Sequence, residues 1–283
     1  MAIKSNNPKD SYYNQFSGGH GAAVGWFDPG SNDAGKTNAV HFYKLGTNSF
    51  DDQGTAGTRD LTMYNDTSAA LVGTPFENTA GIAKMPPGLG YARLFTGSSG
   101  YEANWTTSNG GFDWSGTYAV VGIFLYPTDQ IGNPNQSNYG NWFVQSYTGR
   151  DYAVDMWQRY DNSGRRARFD WPAADYNSRG LESTSWGTAN QNQLTLNQWN
   201  YMRWGKDSGN FRYENYVYDG SSWERRINLS EGSISAGPDG SSSDESITLW
   251  AGNKTNRDRG QQGLVGNFSF YTTDVWDTDP PST

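Results

Sequence analysis

With 283 residues, no cysteine and a formal charge of −8, the chain excludes a disulfide framework and a thiolate metal centre, and it lacks the basic face that nucleic acid requires. Apolar residues make up only 34% of it while aromatics reach 15%, so much of the core must be ring against ring; the 35 glycines supply turns for many short strands. Apolar residues nowhere recur at helical spacing over three turns, and no stretch approaches the ~18 apolar residues of a membrane span.

The first residues, MAIKSNNPKDSYYNQ, lack the apolar centre of a secretory signal. Together with the missing cysteines this points to synthesis in a reducing cytosol. Residues 1 to 57 are rich in Gly, Asn, Ser and Asp, with one strand-like run, AVHFYKLG, at 39 to 46. They read as an extended N-terminal arm, either a loose tail or an anchor that orders on a partner. The aromatics Tyr12, Tyr13, Phe16, Trp26 and Phe27 weigh against pure disorder.

From residue 58 onward strand-like runs follow one another: DLTMY (60–64), YARLF (91–95), YEANW (101–105) and TYAVVGIFLYP (117–127). The last is apolar on both faces, as expected of a central strand covered on both sides. NWFVQSY (141–147), DYAVDMWQRY (151–160) and RARFDW (166–171) come next. After them come a ring-rich hairpin at 194 to 218, then WERRINL (223–229), SITLWAG (246–252) and LVGNFSFYTTDVW (264–276). About a dozen strands at this spacing make an all-β sandwich over 58 to 276. The tail at 277 to 283, with Pro280 and Pro281, cannot join a sheet.

Two hairpins hold the candidate site residues. In the first, Asp161-Asn162-Ser163-Gly164 is a strong turn sequence. With Asn162 and Ser163 central, Val154, Met156 and Gln158 share an apolar face with Trp171, Phe169 and Ala167. The other face pairs Asp155 with Asp170, Trp157 with Arg168, and Arg159 with Arg166. Three readings of that face stay open. It is a solvated surface whose charges neutralise one another, or a sugar platform with a ring for stacking and charged groups for hydroxyls, or a catalytic acid pair. The last is the weakest, because a general acid needs a raised pKa and neighbouring arginines lower it. In the second hairpin, Trp199, Tyr201 and Arg203 alternate with Asn200, Met202 and Trp204. Phe211, Tyr213, Asn215 and Val217 alternate with Arg212, Glu214, Tyr216 and Tyr218. The simplest assignment puts Trp199, Tyr201, Phe211 and Tyr213 in the core, with Trp204, Tyr216 and Tyr218 opposite them as groove or interface rings.

Metal chemistry has one weak candidate. GPDGSSSDES offers Asp239, Asp244 and Glu245 with hydroxyls between, an oxygen-rich set that suits calcium but lacks EF-hand spacing. A solvated loop is the simpler reading, and no other cofactor is implied. The mixed-charge run NKTNRDRGQQG (253–263) reads as a further solvent-facing loop.

The order of the pieces resembles a concanavalin A-like, or laminin G-like, jelly roll. The matching residues are Trp199 and Tyr201, Tyr218 with Asp219 and Gly220, Leu249 with Gly252, and Gly266, Phe268 and Phe270. This resemblance spans about 60 to 276 and implies a two-sheet jelly-roll β-sandwich behind the N-terminal arm. It leaves function open, since the sandwich hosts lectins, glycoside hydrolases, polysaccharide lyases and structural modules. The Glu-x-Asp-x-x-Glu and Gln-x-His patterns of its enzymes are absent, and both histidines, His20 and His41, lie in the arm. That favours binding over catalysis and leaves a tyrosine-based lyase open. In layout, a cysteine-free, Asn/Gly-rich chain with an arm before a jelly roll also resembles bacteriophage virion proteins, head decorations or tail-spike modules. That resemblance implies assembly in a host cytoplasm, capsid or tail proteins as partners of the arm, cell-surface polysaccharide as a ligand, and several copies at a symmetric site. A free carbohydrate-binding module is the alternative.

Overall fold

The computed structural model describes residues 32–47, 50–64, 70–73, 85–96, 104–107, 110–127, 138–146, 154–161, 164–170, 194–232, 234, 237, 239–241, 245–249 and 262–282, some strand residues by backbone alone. No helix occurs among them. The strands are β1 (His41–Tyr43), β2 (Leu61–Tyr64), β3 (Ala70–Gly73), β4 (Tyr91–Thr96), β5 (Asn104–Thr107), β6 (Tyr118–Pro127) and β7 (Asn138–Ser146). The second half contributes β8 (Val154–Asp161), β9 (Gly164–Asp170), β10 (Trp199–Asp207), β11 (Asn210–Tyr218), β12 (Trp223–Gly232), β13 (Ser246–Leu249) and β14 (Gln262–Tyr271). They form two antiparallel sheets, one in the order β12-β11-β10-β6-β14-β4-β3 with β1 also on β14, the other β2-β5-β13-β7-β8-β9. The architecture is the two-sheet jelly-roll sandwich.

Strand β6 runs through the middle of the larger sheet between β10 and β14, and nine of its ten residues are buried. Its odd positions, Ala119, Val121, Ile123 and Leu125, face the smaller sheet and meet Phe143, Val154, Ile247 and Leu249 there. Its even positions Phe124 and Tyr126 pack on the outer face with Trp199, Tyr201, Tyr216 and Tyr218. Both faces of the larger sheet are therefore apolar, which is why this strand reads as a continuous hydrophobic run.

The β10–β11 register corrects the expected grouping of rings. Ser208, with φ at 58°, and Gly209 make a two-residue turn that pairs Asp207 with Asn210. Trp204 then lies opposite Tyr213, Tyr201 opposite Tyr216 and Trp199 opposite Tyr218. Trp204, Phe211 and Tyr213 line the core between the sheets, while Trp199 and Tyr201 join Tyr216 and Tyr218 on the outer face. Alternation within each strand was legible; the turn length decides which faces meet.

The division expected at residue 57 is also corrected. Residues 32 to 57 belong to the sandwich: β1 pairs with β14, and Ala34, Ala39, Phe42, Tyr43 and Leu45 are fully buried. Side chains of β14 hold this segment from below. Asn267 donates to Asn32 O and Ala34 O, and Ser269 and Tyr271 donate to Gly35 O. Residues 1 to 31 lie outside the described residues. At the other end, residues 274 to 282 form no strand but cross the outer face of the larger sheet, with Trp276 and Pro280 buried.

A loop not expected in the core fills its centre. Phe112 stacks on Phe270 at 4.6 Å and on His41 at 4.7 Å, and Trp114 stacks on Trp204 at 5.5 Å. Fully buried Gln145 of β7 holds this loop through Oε1, which accepts from Phe112 N and Trp114 Nε1 at 2.8 Å each. Its Nε2 donates to Phe112 O and to Glu245 at 3.1 Å each, so the buried loop has its polar groups met.

Candidate functional site

The β8–β9 hairpin has the register expected from its turn. Asp161 pairs with Gly164, Arg159 with Arg166, Trp157 with Arg168, and Asp155 with Asp170. Val154 is fully buried against the core. Strand alternation therefore assigns positions 155, 157 and 159, with partners 170, 168 and 166, to the outward face of the smaller sheet. β9 is the edge strand, so this face sits at one margin of the sandwich. Backbone alone is described at these positions. It brings an Arg–Arg pair, a Trp–Arg pair and an Asp–Asp pair to one patch, three ladder steps long.

The outer face of the larger sheet holds a second polar constellation. Arg203 Nη2 lies 2.6 Å from Glu214 Oε2, and both side chains are at most 1% exposed. Arg203 sits over the rings of Tyr216 at 5.0 Å and Tyr201 at 5.7 Å. It also donates to Tyr216 Oη, to Val275 O, and to Thr278 through both Oγ1 and O. Glu214 takes two further arginines, Arg212 at 2.9 Å and Arg225 at 3.1 Å, and both of these reach Asp277. Hydrogen bonds from Arg212 and Arg225 hold the Asp277 carboxyl below its usual range. The C-terminal segment is thus latched to the sheet by charge. Sequence reasoning placed Arg203 beside Trp199 and Tyr201 but gave no sign of this network, whose partners lie about 11 and 75 positions away.

A third polar cluster is internal. His41 Nδ1 and Asp52 Oδ2 are 2.6 Å apart, both nearly buried. Asp52 also accepts from the backbone N–H of Phe42, Gly54, Thr58 and Arg59. Burial alone would raise the Asp52 carboxyl, but the His41 bond, the His41 charge and the N–H groups of Gly54 and Phe42 bring it below the ordinary carboxylate range. The pair folds the 50–60 loop onto β1.

The calcium candidates do not share one setting. Asp239 is exposed and accepts from the Ser241 backbone and hydroxyl, an Asx turn. Glu245 is buried at 1% and is engaged with Gln145. Asp244 lies outside the described residues, as does nearly all of the 253–263 loop. Among the described residues no group of three His, Asp or Glu could hold a metal ion.

The sequence matches no protein-family model and no curated protein. Among solved structures it is similar to full-length tailspike protein 2 of Escherichia coli O157:H7 bacteriophage CAB120, with 15% identity over 71% of this chain and a TM-score of 0.46. It spans only 24% of that tailspike. It is also similar to the botulinum neurotoxin serotype G binding domain, with 12% identity, a TM-score of 0.45, and coverage of 84% of this chain and 48% of that one. The exoplasmic/lumenal domain of VIP36, in a form bound to Ca2+ and Man3GlcNAc, shares 7% identity with a TM-score of 0.44, covering 84% of this chain and 91% of that domain. The likeness in each case is one of fold.

Proposed function

We propose that this protein is a non-enzymatic carbohydrate-binding protein whose site is the outward face of the β8–β9 hairpin. One observation carries the reading: the register that sets Trp157 opposite Arg168 beside the Asp155–Asp170 and Arg159–Arg166 pairs. A sugar needs a flat apolar surface for its C–H face and charged or amide groups for its hydroxyls, and this patch supplies both residue types within three ladder steps.

The sandwich is displayed, in this reading, on the surface of a phage virion assembled in the host cytoplasm, where many copies add weak contacts together. Support for the placement comes from the layout of the sequence. An Asn/Gly-rich segment bearing Tyr12, Tyr13, Phe16, Trp26 and Phe27 precedes the sandwich and is the natural anchor to capsid or tail. The test is to incubate the full chain, beside a Trp157→Ala/Arg168→Ala variant, with an array of bacterial and algal polysaccharides. Binding that the variant loses, with no new reducing or unsaturated ends, supports the proposal. Product formation replaces it with a lyase or hydrolase. Binding that survives in the variant removes the site from this hairpin.

A further inference from the structure

The outward face that carries the β8–β9 patch extends onto β7. Strand β7 pairs with β8 so that Tyr139 lies opposite Arg159, Asn141 opposite Trp157 and Val144 opposite Asp155. Between Asn141 and Phe143 the pairing shifts by one residue, a β-bulge at Trp142. Phe143 and Gln145 are buried in the core, so unbroken alternation would assign every odd position of β7 to the inward face. The extra residue reverses the phase and assigns Tyr139 and Asn141 to the outward face with Trp157. Three ladder steps then cross β7, β8 and β9: Tyr139–Arg159–Arg166, Asn141–Trp157–Arg168 and Val144–Asp155–Asp170.

Charge is sorted on this grid rather than mixed. Arg159, Arg166 and Arg168 occupy neighbouring positions, with Asp155 and Asp170 one step beyond them and Asp161 at the turn, opposite Gly164. Opposite positions on a ladder lie ~5 Å apart, and like charges placed there are destabilising. A face selected for stability alone would set each arginine opposite an aspartate. Here Arg159 is opposite Arg166 and Asp155 opposite Asp170, so the arginine block has no carboxylate across the ladder from it. A carboxylate brought by a ligand supplies the counter-charge that the register withholds.

We propose that the β7–β8–β9 face binds an acidic polysaccharide of low charge density, in which units bearing a carboxylate are separated by neutral ones. One ligand carboxylate pairs with the block of Arg159, Arg166 and Arg168, and the adjoining sugar rings use Trp157 and Tyr139. The inference rests on the carbohydrate reading above and adds the charge of the ligand. A guanidinium meets a carboxylate with two parallel N–H bonds, the strongest polar recognition these residue types offer. A chain charged on every unit is opposed by Asp155, Asp161 and Asp170 and by the formal charge of −8. A neutral chain leaves the arginines without a counter-charge.

The experiment is calorimetric titration of the full chain with hyaluronan and gellan, whose carboxylates are spaced by neutral units. Each is compared with the same polymer after reduction of its carboxyls to alcohols. Alginate and polygalacturonate, charged on every unit, and the neutral dextran and pullulan complete the set. Hyaluronan or gellan is expected to bind about tenfold more tightly than its reduced form, the loss of one charge-assisted contact, and more tightly than alginate or polygalacturonate. Arg159→Gln/Arg166→Gln is expected to bring the charged polymer down to the level of the reduced one. Tyr139→Ala is expected to weaken charged and reduced forms by the same factor. Thermal unfolding of the arginine variant guards against a folding defect, and its midpoint is not expected to fall, because a like-charge pair is removed. Equal binding of charged and reduced forms overturns the proposal, as does preference for alginate or polygalacturonate, or a preference for charge that survives in the arginine variant. Binding of dextran or pullulan alone, lost in Trp157→Ala/Arg168→Ala, removes the acidic ligand and leaves the carbohydrate site. Binding of no polysaccharide removes both.

Discussion

Arg203 and Glu214 face each other across the β10–β11 ladder with 2.6 Å between Nη2 and Oε2, and neither is more than 1% exposed. A buried ion pair contributes little net stability, but breaking it from one side leaves the other charge without compensation. Glu214→Gln is therefore expected to cost about 3–5 kcal/mol, since it strands Arg203 beneath the C-terminal segment. The double variant Arg203→Met/Glu214→Leu is expected to recover much of that loss. Urea unfolding of the three proteins checks this, and equal losses in single and double variants would overturn the buried-pair account.

The latch at Asp277 carries a pH dependence. Hydrogen bonds from Arg212 and Arg225 lower its pKa, and the backbone N–H groups of Ser222 and Ser221 lower that of Asp219 to about 2. Groups depressed in the folded state stabilise it above the unfolded value of ~3.9 and lose that contribution as pH falls through the folded pKa. The thermal midpoint is expected to fall between about pH 4 and about pH 2, modestly because both groups are solvent-accessible. Asp277→Asn should lower the midpoint at neutral pH and flatten the acid limb. A limb of unchanged steepness would assign the acid sensitivity elsewhere.

Gly122 sits under the Tyr201 ring, where an added Cβ would lie 2.5 Å from Tyr201 Oη. Tyr201 is only 1% exposed, so the ring has no room to retreat. Gly122→Ala is expected to destabilise the protein by about 1–3 kcal/mol through overpacking in the middle of the central strand. Adding Tyr201→Phe, which removes the clashing oxygen, should restore part of the loss. Additive penalties in the double variant would show that the clash is not the cause.

Removal of residues 1 to 57 is expected to abolish folding, because it takes Phe42, Tyr43 and Leu45 out of the core and leaves β14 without β1. Burying each such side chain contributes about 1.5–3 kcal/mol, and the three together rival the whole stability of a domain. Circular dichroism and solubility of the 58–283 fragment decide the matter. A cooperatively unfolding fragment would restore the division at residue 57.

Local chemistry was sufficient for part of this fold. Asp161-Asn162-Ser163-Gly164 and the alternation on either side determine the β8–β9 register, and the two-faced apolar run at 117 to 127 determines a central strand. In both cases the signal is contained in a dozen contiguous residues, where turn chemistry and strand period are the controlling physics. The candidate platform was legible for the same reason.

What the tertiary structure decided depends on groups far apart in the chain. The Ser208-Gly209 turn fixes Trp204 opposite Tyr213, but only the stacking of two sheets decides that this pair, and not Trp199 with Tyr218, faces the core. The 110–116 loop enters the core because Gln145, more than thirty positions later, satisfies its backbone. Residues 32 to 57 join the sandwich because Asn267, Ser269 and Tyr271 bind their carbonyls, and the C-terminal segment crosses the larger sheet where Arg203 holds Val275 and Thr278. Such long-range polar pairings leave no period in the sequence. They arise once burial makes an unpartnered donor or acceptor expensive.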